Sequence, residues 1–170
     1  MPQFARPDST VTAGTWNPGG GATLWETVDE VSPDDNDYDS SGFADGDMME
    51  LGLSNLIDPL SSSGHIIRFR AADTQGGFGD VSVALKQGLS QIAAYDPGPL
   101  GPSITLYTYT LSGAEADSIT DYNDLRLNVI GIGSSSIFVF TWAELEVPIA
   151  GSVPPPVKQR QRLAPTQRMG

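Results

Sequence analysis

Short apolar runs that alternate with polar residues, separated by turns, constrain the fold of this chain more than any other feature. The runs HIIRFRAAD, DVSVALKQG and DLRLNVIG carry an apolar side chain at every second position, which is the period of a β-strand with one buried face. Turns rich in glycine and proline, such as TQGGFGD and DPGPLGP, separate the runs. Because no long stretch has the helical apolar period of about 3.6 residues, the pattern predicts an all-β protein.

Other segments complete the predicted strand set. They are TLWETVDEV (23–31), MMELGL (48–53), QIAAYD (91–96), ITLYTYTL (104–111) and SIFVFTWAELEVP (136–148). The last begins with apolar residues on both faces, which is typical of a central strand. Ser112 and Glu115 match a capping box and predict one short helix near 112–119. Seven or eight strands with one short helix predict an antiparallel β-sandwich of the jelly-roll type, and a barrel is the alternative.

Charge divides the chain unevenly and suggests its organisation. Residues 1–150 hold all 21 acidic residues, whereas the segment GSVPPPVKQRQRLAPTQRMG (151–170) holds none and carries four of the nine basic residues. We therefore predict an N-terminal arm at 1–10, a β-sandwich domain at 11–150 and an extended basic C-terminal arm at 151–170. The acidic body would repel nucleic acid and anionic membranes, so neither is an expected partner.

The composition also removes several kinds of chemistry. The chain has no cysteine, which excludes disulfides and thiolate nucleophiles, and no cofactor is expected. The N-terminus lacks the basic flank and apolar run of a secretory signal, which predicts synthesis in a cytoplasm. His65 is the sole histidine and begins a predicted strand, so we expect a structural role for it. No pair of acids stands out in an apolar setting as a glycosidase would require, and the chain is predicted not to be an enzyme.

An acidic loop and a set of aromatic residues are the candidate ligand sites in the body. The loop DDNDYDSSGFADGD offers Asp35, Asp37 and Asp39 at alternate positions, where carboxylates could bind calcium. The alternative, which the missing EF-hand glycine and glutamate favour, is a solvated acidic loop without a metal. Trp16 and Trp25 are the candidates for a glycan platform, with strand aromatics of 104–111 beside them, while core packing is the alternative.

The basic C-terminal arm is the candidate partner-binding segment. Its cations are Lys158, Arg160, Arg162 and Arg168. The prolines at 154–156 favour an extended chain, and arginine forms strong charge-assisted hydrogen bonds with carboxylates. We expect these residues to bind acidic surfaces, on a neighbouring copy or another protein, and a solubilising tail is the alternative.

A family resemblance extends from about Arg6 to Pro148. It is carried, in order, by TAGTWNPGGGATLWETVDEVSPDDNDYDSS, SSSGHIIRFRA, VSVALKQG, ITLYTYTLSGAEADSITDYNDLRLNV and FTWAELEVP. These segments resemble a family of small β-sandwich proteins encoded by tailed bacteriophages. The most distinctive part runs from Leu111 to Leu127, and the chain after Pro148 lies outside the resemblance.

The resemblance implies a structural virion component on the outer surface of the capsid. The leading expectation is a decoration or cement protein that binds the major capsid protein and neighbouring copies of itself. A homo-oligomer is expected, with a trimer preferred. The alternative function is a carbohydrate-binding module displayed on the virion. The family offers no functional residue to transfer to this chain.

Overall fold

Eleven β-strands form two antiparallel sheets in the computed structural model, which describes residues 1–20, 23–42, 45–76, 79–133 and 135–149. The strands are β1 Gln3–Ala5, β2 Pro7–Thr12, β3 Asn17–Pro18, β4 Asp39–Ser40, β5 Asp47–Leu53, β6 Ile66–Asp73, β7 Asp80–Gln87, β8 Ser90–Tyr95, β9 Thr105–Thr110, β10 Leu125–Ile132 and β11 Phe138–Val147. The predicted antiparallel β-sandwich is confirmed. The structure has more strands than predicted because four short strands precede β5.

Each sheet is built around one long buried strand. Sheet A has the order β3-β4-β11-β6-β9, and β1 also pairs with β11. Sheet B has the order β2-β5-β10-β7-β8. The predicted central strand is β11, and nine of its ten residues are buried. Between β5 and β11 most successive strands lie in opposite sheets, so the chain repeatedly crosses from one layer to the other.

A cluster of aromatic rings joins the two layers. The ring of Phe69 in β6 stacks on Phe140 at 5.6 Å and on Tyr107 at 5.3 Å, measured between centroids. It also meets Tyr95 of sheet B edge-on at 6.2 Å, and Tyr95 stacks on Tyr109 at 5.1 Å. Such pairs add to the burial of apolar area, so this cluster contributes to the packing between the sheets.

Two capping boxes begin the two helical segments. The α-helix α1, Gly113–Asp117, starts where predicted, and the backbone amide of Ser112 donates to Glu115 at 2.6 Å. A second box begins a 3₁₀ turn at Leu24–Thr27, in which the amide and hydroxyl of Thr23 donate to Glu26. The strand predicted for residues 23–31 is therefore wrong. The local hydrogen bonds of the cap satisfy the backbone there in place of a strand ladder.

The N-terminal arm predicted for residues 1–10 is also wrong. Gln3–Ala5 pairs with β11 and Pro7–Thr12 pairs with β5, so this segment supplies an edge to each sheet. Ala5 is fully buried and Pro7 is buried too, which makes residues 3–7 part of the sandwich. The C-terminal arm predicted for 151–170 lies outside the described residues and stays a prediction. Among the described residues, no helix has the length and apolar character to cross a bilayer.

Candidate functional site

An open groove of about 730 Å³ lies across sheet A, where β6 ends and β11 begins. Its floor includes Ala72 and Val139, which face each other in register on the outer side of the sheet. Tyr38 and Asp35 form one wall, and residues 102–104 before β9 form the other. The groove is therefore apolar at its floor and polar along one side, which is the usual character of a small-ligand site.

The ring of Tyr38 is fixed against the backbone of Gly19. The amide of Gly19 donates to the Tyr38 carbonyl at 2.7 Å. A Cβ atom at position 19 would lie only 2.7 Å from the Tyr38 ring carbons, so no larger residue fits there without moving the ring. Tyr38 is 36% exposed, and its uncovered surface lines the groove. The result is a rigid aromatic wall with little conformational entropy to lose on binding.

Asp35 is held by two side chains of sheet A. The Arg70 guanidinium donates two hydrogen bonds to its carboxylate, at 2.8 and 2.6 Å. Thr141 lies at a bulge of β11, where register shifts between Phe140 and Trp142, and its hydroxyl donates to Asp35 at 2.9 Å. The hydrogen bonds from Arg70 lower the pKa of Asp35. Asp35 is therefore an ionised acceptor with a fixed orientation.

The loop that carries Tyr38 and Asp35 is anchored on β11. The indole Nε1 of Trp142 donates to the Glu30 carbonyl at 2.7 Å, and the amide of Ala143 donates to the Val28 carbonyl at 3.2 Å. Because Trp142 is 5% exposed, the loop packs closely over this part of the sheet. The wall made by Tyr38 and Asp35 thus belongs to a loop that is hydrogen-bonded to β11.

A buried carboxylate fixes the loops at the same end of the sandwich. Asp73 is fully buried, and it accepts hydrogen bonds from the Ser136 hydroxyl at 2.8 Å and the Gln75 amide at 3.0 Å. Its own amide donates to the Gly101 carbonyl at 3.0 Å. The turn after β6 and the segments that precede β9 and β11 are therefore tied together, which sets the shape of the groove.

Asp39 lies behind Tyr38 and points into the protein. It is fully buried, and its Oδ1 lies 2.6 Å from the Thr27 hydroxyl, which also lies 2.9 Å from the Leu24 carbonyl. Thr27 has one hydroxyl hydrogen and cannot donate to both acceptors, so a protonated Asp39 donating to Thr27 satisfies all of these groups. Burial raises the pKa of Asp39 to about 8, with smaller contributions from Asp37 and Glu30. Asp39 is therefore mostly neutral at pH 7.

The chemistry of the groove suits binding better than catalysis. Asp35 is the one carboxylate among the described residues that line it, whereas glycoside hydrolysis ordinarily uses two. The lowered pKa of Asp35 also makes it a poor proton donor near neutral pH. The hydroxyls of Ser40 and Thr74 line the same groove and add hydrogen-bonding capacity beside the apolar floor.

The structure does not support the predicted aromatic platform. Trp16 is only 3% exposed and belongs to the core, so it has no face to offer a ligand. Trp25, on the 3₁₀ turn, is half-buried and packs against the core, as do Tyr107 and Tyr109 on the inner side of β9. The aromatic residue of the groove is Tyr38, which the sequence pattern did not single out. The sequence feature that could have identified Tyr38 is its position within a polar loop, where an aromatic ring has no strand partner to pack against.

The weak calcium candidate Asp35, Asp37 and Asp39 is not gathered into a site. Asp35 lies in a turn and bonds to Arg70 on the outer face of sheet A, while Asp39 lies in β4 and is fully buried. Across the described ranges, no three histidine, cysteine or acidic side chains are arranged to hold a metal ion. His65 is fully buried, and its Nε2 lies 2.7 Å from the Tyr122 hydroxyl, in agreement with the structural role predicted for it.

The fold resembles those of carbohydrate-binding modules. The C-terminal CBM6 of LamC, a marine laminarinase of Zobellia galactanivorans, is 14% identical with a TM-score of 0.50, over 86% of this chain and 100% of that chain. A family 35 carbohydrate-binding module of Clostridium thermocellum is 11% identical with a TM-score of 0.51, over 85% and 97%.

The resemblance also extends to a protein of a different kind. A Stig cyclase of Fischerella sp. TAU, Fisc, is 15% identical with a TM-score of 0.55, over 87% of this chain and 84% of that chain. No protein-family model and no curated protein sequence matches this chain. At such low identities the likeness establishes a shared all-β jelly-roll sandwich fold and nothing about ligands.

Proposed function

We propose that this protein is a non-catalytic carbohydrate-binding module that holds a glycan in the groove between Tyr38 and residues 102–104. The observation that carries the proposal is the pairing, in one groove of about 730 Å³, of a backed aromatic ring with an oriented carboxylate. The shared fold with carbohydrate-binding modules is consistent with the proposal, but the groove is its basis.

A sugar ring matches both parts of the groove. Its C–H face is apolar and packs on Tyr38 and on the partly exposed side chains of Ile104 and Ile137, where it covers apolar area. Its hydroxyl groups donate to the ionised Asp35, and Arg70 keeps that carboxylate in place when water is displaced. Because the wall is rigid before binding, the ligand gains these contacts without ordering a loop.

Replacement of Tyr38 by alanine is expected to weaken glycan binding at least about tenfold, which corresponds to about 1.4 kcal/mol. A glycan array would identify the ligand, and titration calorimetry would compare the variants. Tyr38→Phe should retain most of the affinity because the ring remains. Asp35→Asn should lose affinity because a charged acceptor is replaced by a neutral amide.

Phe4→Ala is the matched control, since Phe4 is 41% exposed against 36% for Tyr38 and lies on β1, away from the groove. Binding that survives Tyr38→Ala, or that falls equally in Phe4→Ala, would show that the groove is not the site. No glycan bound by the wild-type protein would refute the function itself.

Capsid decoration is our second proposal, because the sequence resemblance and the basic segment 151–170 both favour it. The partners would be the major capsid protein and neighbouring copies, in a trimer on the outer capsid surface. Purified protein is expected to bind undecorated capsids saturably in co-sedimentation, and deletion of residues 151–170 should abolish this. Equal binding by the full-length and shortened proteins would show that the basic segment does not bind the capsid.

A further inference from the structure

A second concave site lies at the other end of the sandwich, where the described chain begins and ends. The side chain of Gln3 exchanges hydrogen bonds with the backbone of Ile57, at 2.9 and 3.0 Å, and also donates to the Pro148 carbonyl at 3.4 Å. Pro148 lies beside Gly64, where a Cβ atom would be 3.7 Å from its ring. The chain therefore leaves the sandwich next to the segment 57–64.

That segment forms one wall of a pocket of about 290 Å³, and α1 with the residues after it forms the other. Tyr122 lies at its floor, and its hydroxyl contacts the buried His65. Exposed Leu60 lines the rim, at 76% exposure. The pocket thus has a mainly polar rim with one exposed leucine, a few residues from the point where the chain leaves the sandwich.

Two carboxylates make this pocket acidic. Asp58 and Asp117 both line it, and in the described part of the chain neither forms an ion pair. Burial raises the pKa of Tyr122 to about 12, and the charges of Asp58 and Asp117 add to this effect, so both carboxylates act on the pocket floor. A cation bound in the pocket would be attracted by both carboxylates.

The sandwich itself has no free basic side chain to supply that cation. Within residues 1–149 the basic residues are Arg6, Arg68, Arg70, Lys86 and Arg126, and every one of them is already in an ion pair. The remaining lysine and arginine residues of the chain are all in the C-terminal segment. Charge complementarity therefore favours residues 151–170 as the occupant of the pocket.

The length of that segment allows it to reach the pocket. Lys158 follows Ile149 by nine residues, a span of up to about 30 Å when extended. The rim at Ser62 is two residues from Gly64, which contacts Pro148, so the gap is far shorter than the available chain. Tethering also gives the segment a high effective concentration at its own pocket.

We propose that the basic segment 151–170 folds back on its own chain and binds this pocket, placing an arginine between Asp58 and Asp117. Arginine suits the site because its planar guanidinium can donate to two carboxylates at once. Apolar residues of the segment, such as Leu163, would cover the exposed Leu60. This site is independent of the glycan groove, which lies at the opposite end of β6, roughly 25 Å away.

Disulfide trapping in the full-length chain tests the proposal. Because the chain has no native cysteine, only the two introduced thiols can react. One variant combines Ser62→Cys at the pocket rim with Gln161→Cys in the segment. The matched control combines Ser103→Cys, exposed at the groove end and within reach of the extended segment, with the same Gln161→Cys. In a glutathione buffer we expect the intrachain disulfide of the pocket pair to form at least about tenfold more readily than the control.

Adding Asp58→Asn and Asp117→Asn together should reduce that advantage to within about twofold, as should high salt. Circular dichroism of each variant would verify the fold. Replacing all the basic residues of 151–170 with glutamine should reduce the disulfide yield of the pocket pair in the same way, and it leaves the sandwich unaltered. Equal trapping at both positions would overturn the proposal. A disulfide that forms only between chains would overturn it as well, because the segment would then occupy a second copy.

Discussion

Replacing Phe69 with alanine is expected to lower the free energy of unfolding by about 3–5 kcal/mol. Phe69 is fully buried and stacks against Phe140 and Tyr107 in its own sheet, while its edge meets Tyr95 from the other sheet. Alanine would leave a cavity where three rings converge and would remove one of the contacts between the layers. Against a total stability of about 5–15 kcal/mol for an ordinary domain, this loss is large. Urea unfolding followed by tryptophan fluorescence would measure it.

Phe4→Ala is the control for this loss as well, because it removes an equal number of atoms from a ring that is 41% exposed. The Phe4 ring lies 5.6 Å from the Arg6 guanidinium carbon, and losing that contact should cost no more than about 1 kcal/mol. Similar losses in the two variants would mean that the packing of Phe69 adds little to the stability of the fold.

Replacing Asp39 with asparagine is expected to stabilise the protein, and increasingly so as the pH rises. In the folded protein the pKa of Asp39 is raised from 3.8 to about 8, so Asp39 stays protonated while the unfolded chain ionises. The stability linked to this proton is fully present below pH 3.8 and is lost as the pH rises through the folded value. Asparagine has no such dependence, and its amide can donate to Thr27 in place of the carboxyl.

The expected gain from Asp39→Asn is below about 1 kcal/mol near pH 4 and about 2–4 kcal/mol near pH 7. Urea unfolding at both pH values would measure the difference between variant and wild type, in which the contributions of the other acids largely cancel. The exposed Asp8→Asn is the control for the loss of one carboxyl group from the surface. A gain that is the same at both pH values would mean that Asp39 is ionised in the folded protein.

Alternation along the strands was enough to predict the layered fold. The period of two in β6, β7 and β10 correctly places Phe69, Val83 and Leu127 in the core. The local signal at Ser112 and Glu115 likewise predicted α1. The same signal was present at Thr23 and Glu26, but the apolar residues around it favoured a strand. A reading that weighed the capping box first would have found the 3₁₀ turn.

The groove depends on contacts that no local pattern contains. Asp35 is oriented by Arg70, which is 35 residues away, and by Thr141, which reaches it through a bulge. A bulge reverses the alternation on which strand predictions rely. Trp16 was misplaced for a related reason, since β3 next to it has two residues and is too short to define a face. Non-local pairing therefore decided what the alternation of residues could not.

The position of Gln3 has a practical consequence for how the protein can be displayed. Gln3 and Pro148 are hydrogen-bonded to each other at the end of β6 that lies farthest from Tyr38. A resin, a sensor chip or a fused protein attached ahead of Gln3 would therefore lie at the end of the sandwich opposite the groove and leave the groove open to the solution. Immobilisation at the N-terminal side thus orients the protein, and binding assays on a surface can use that attachment.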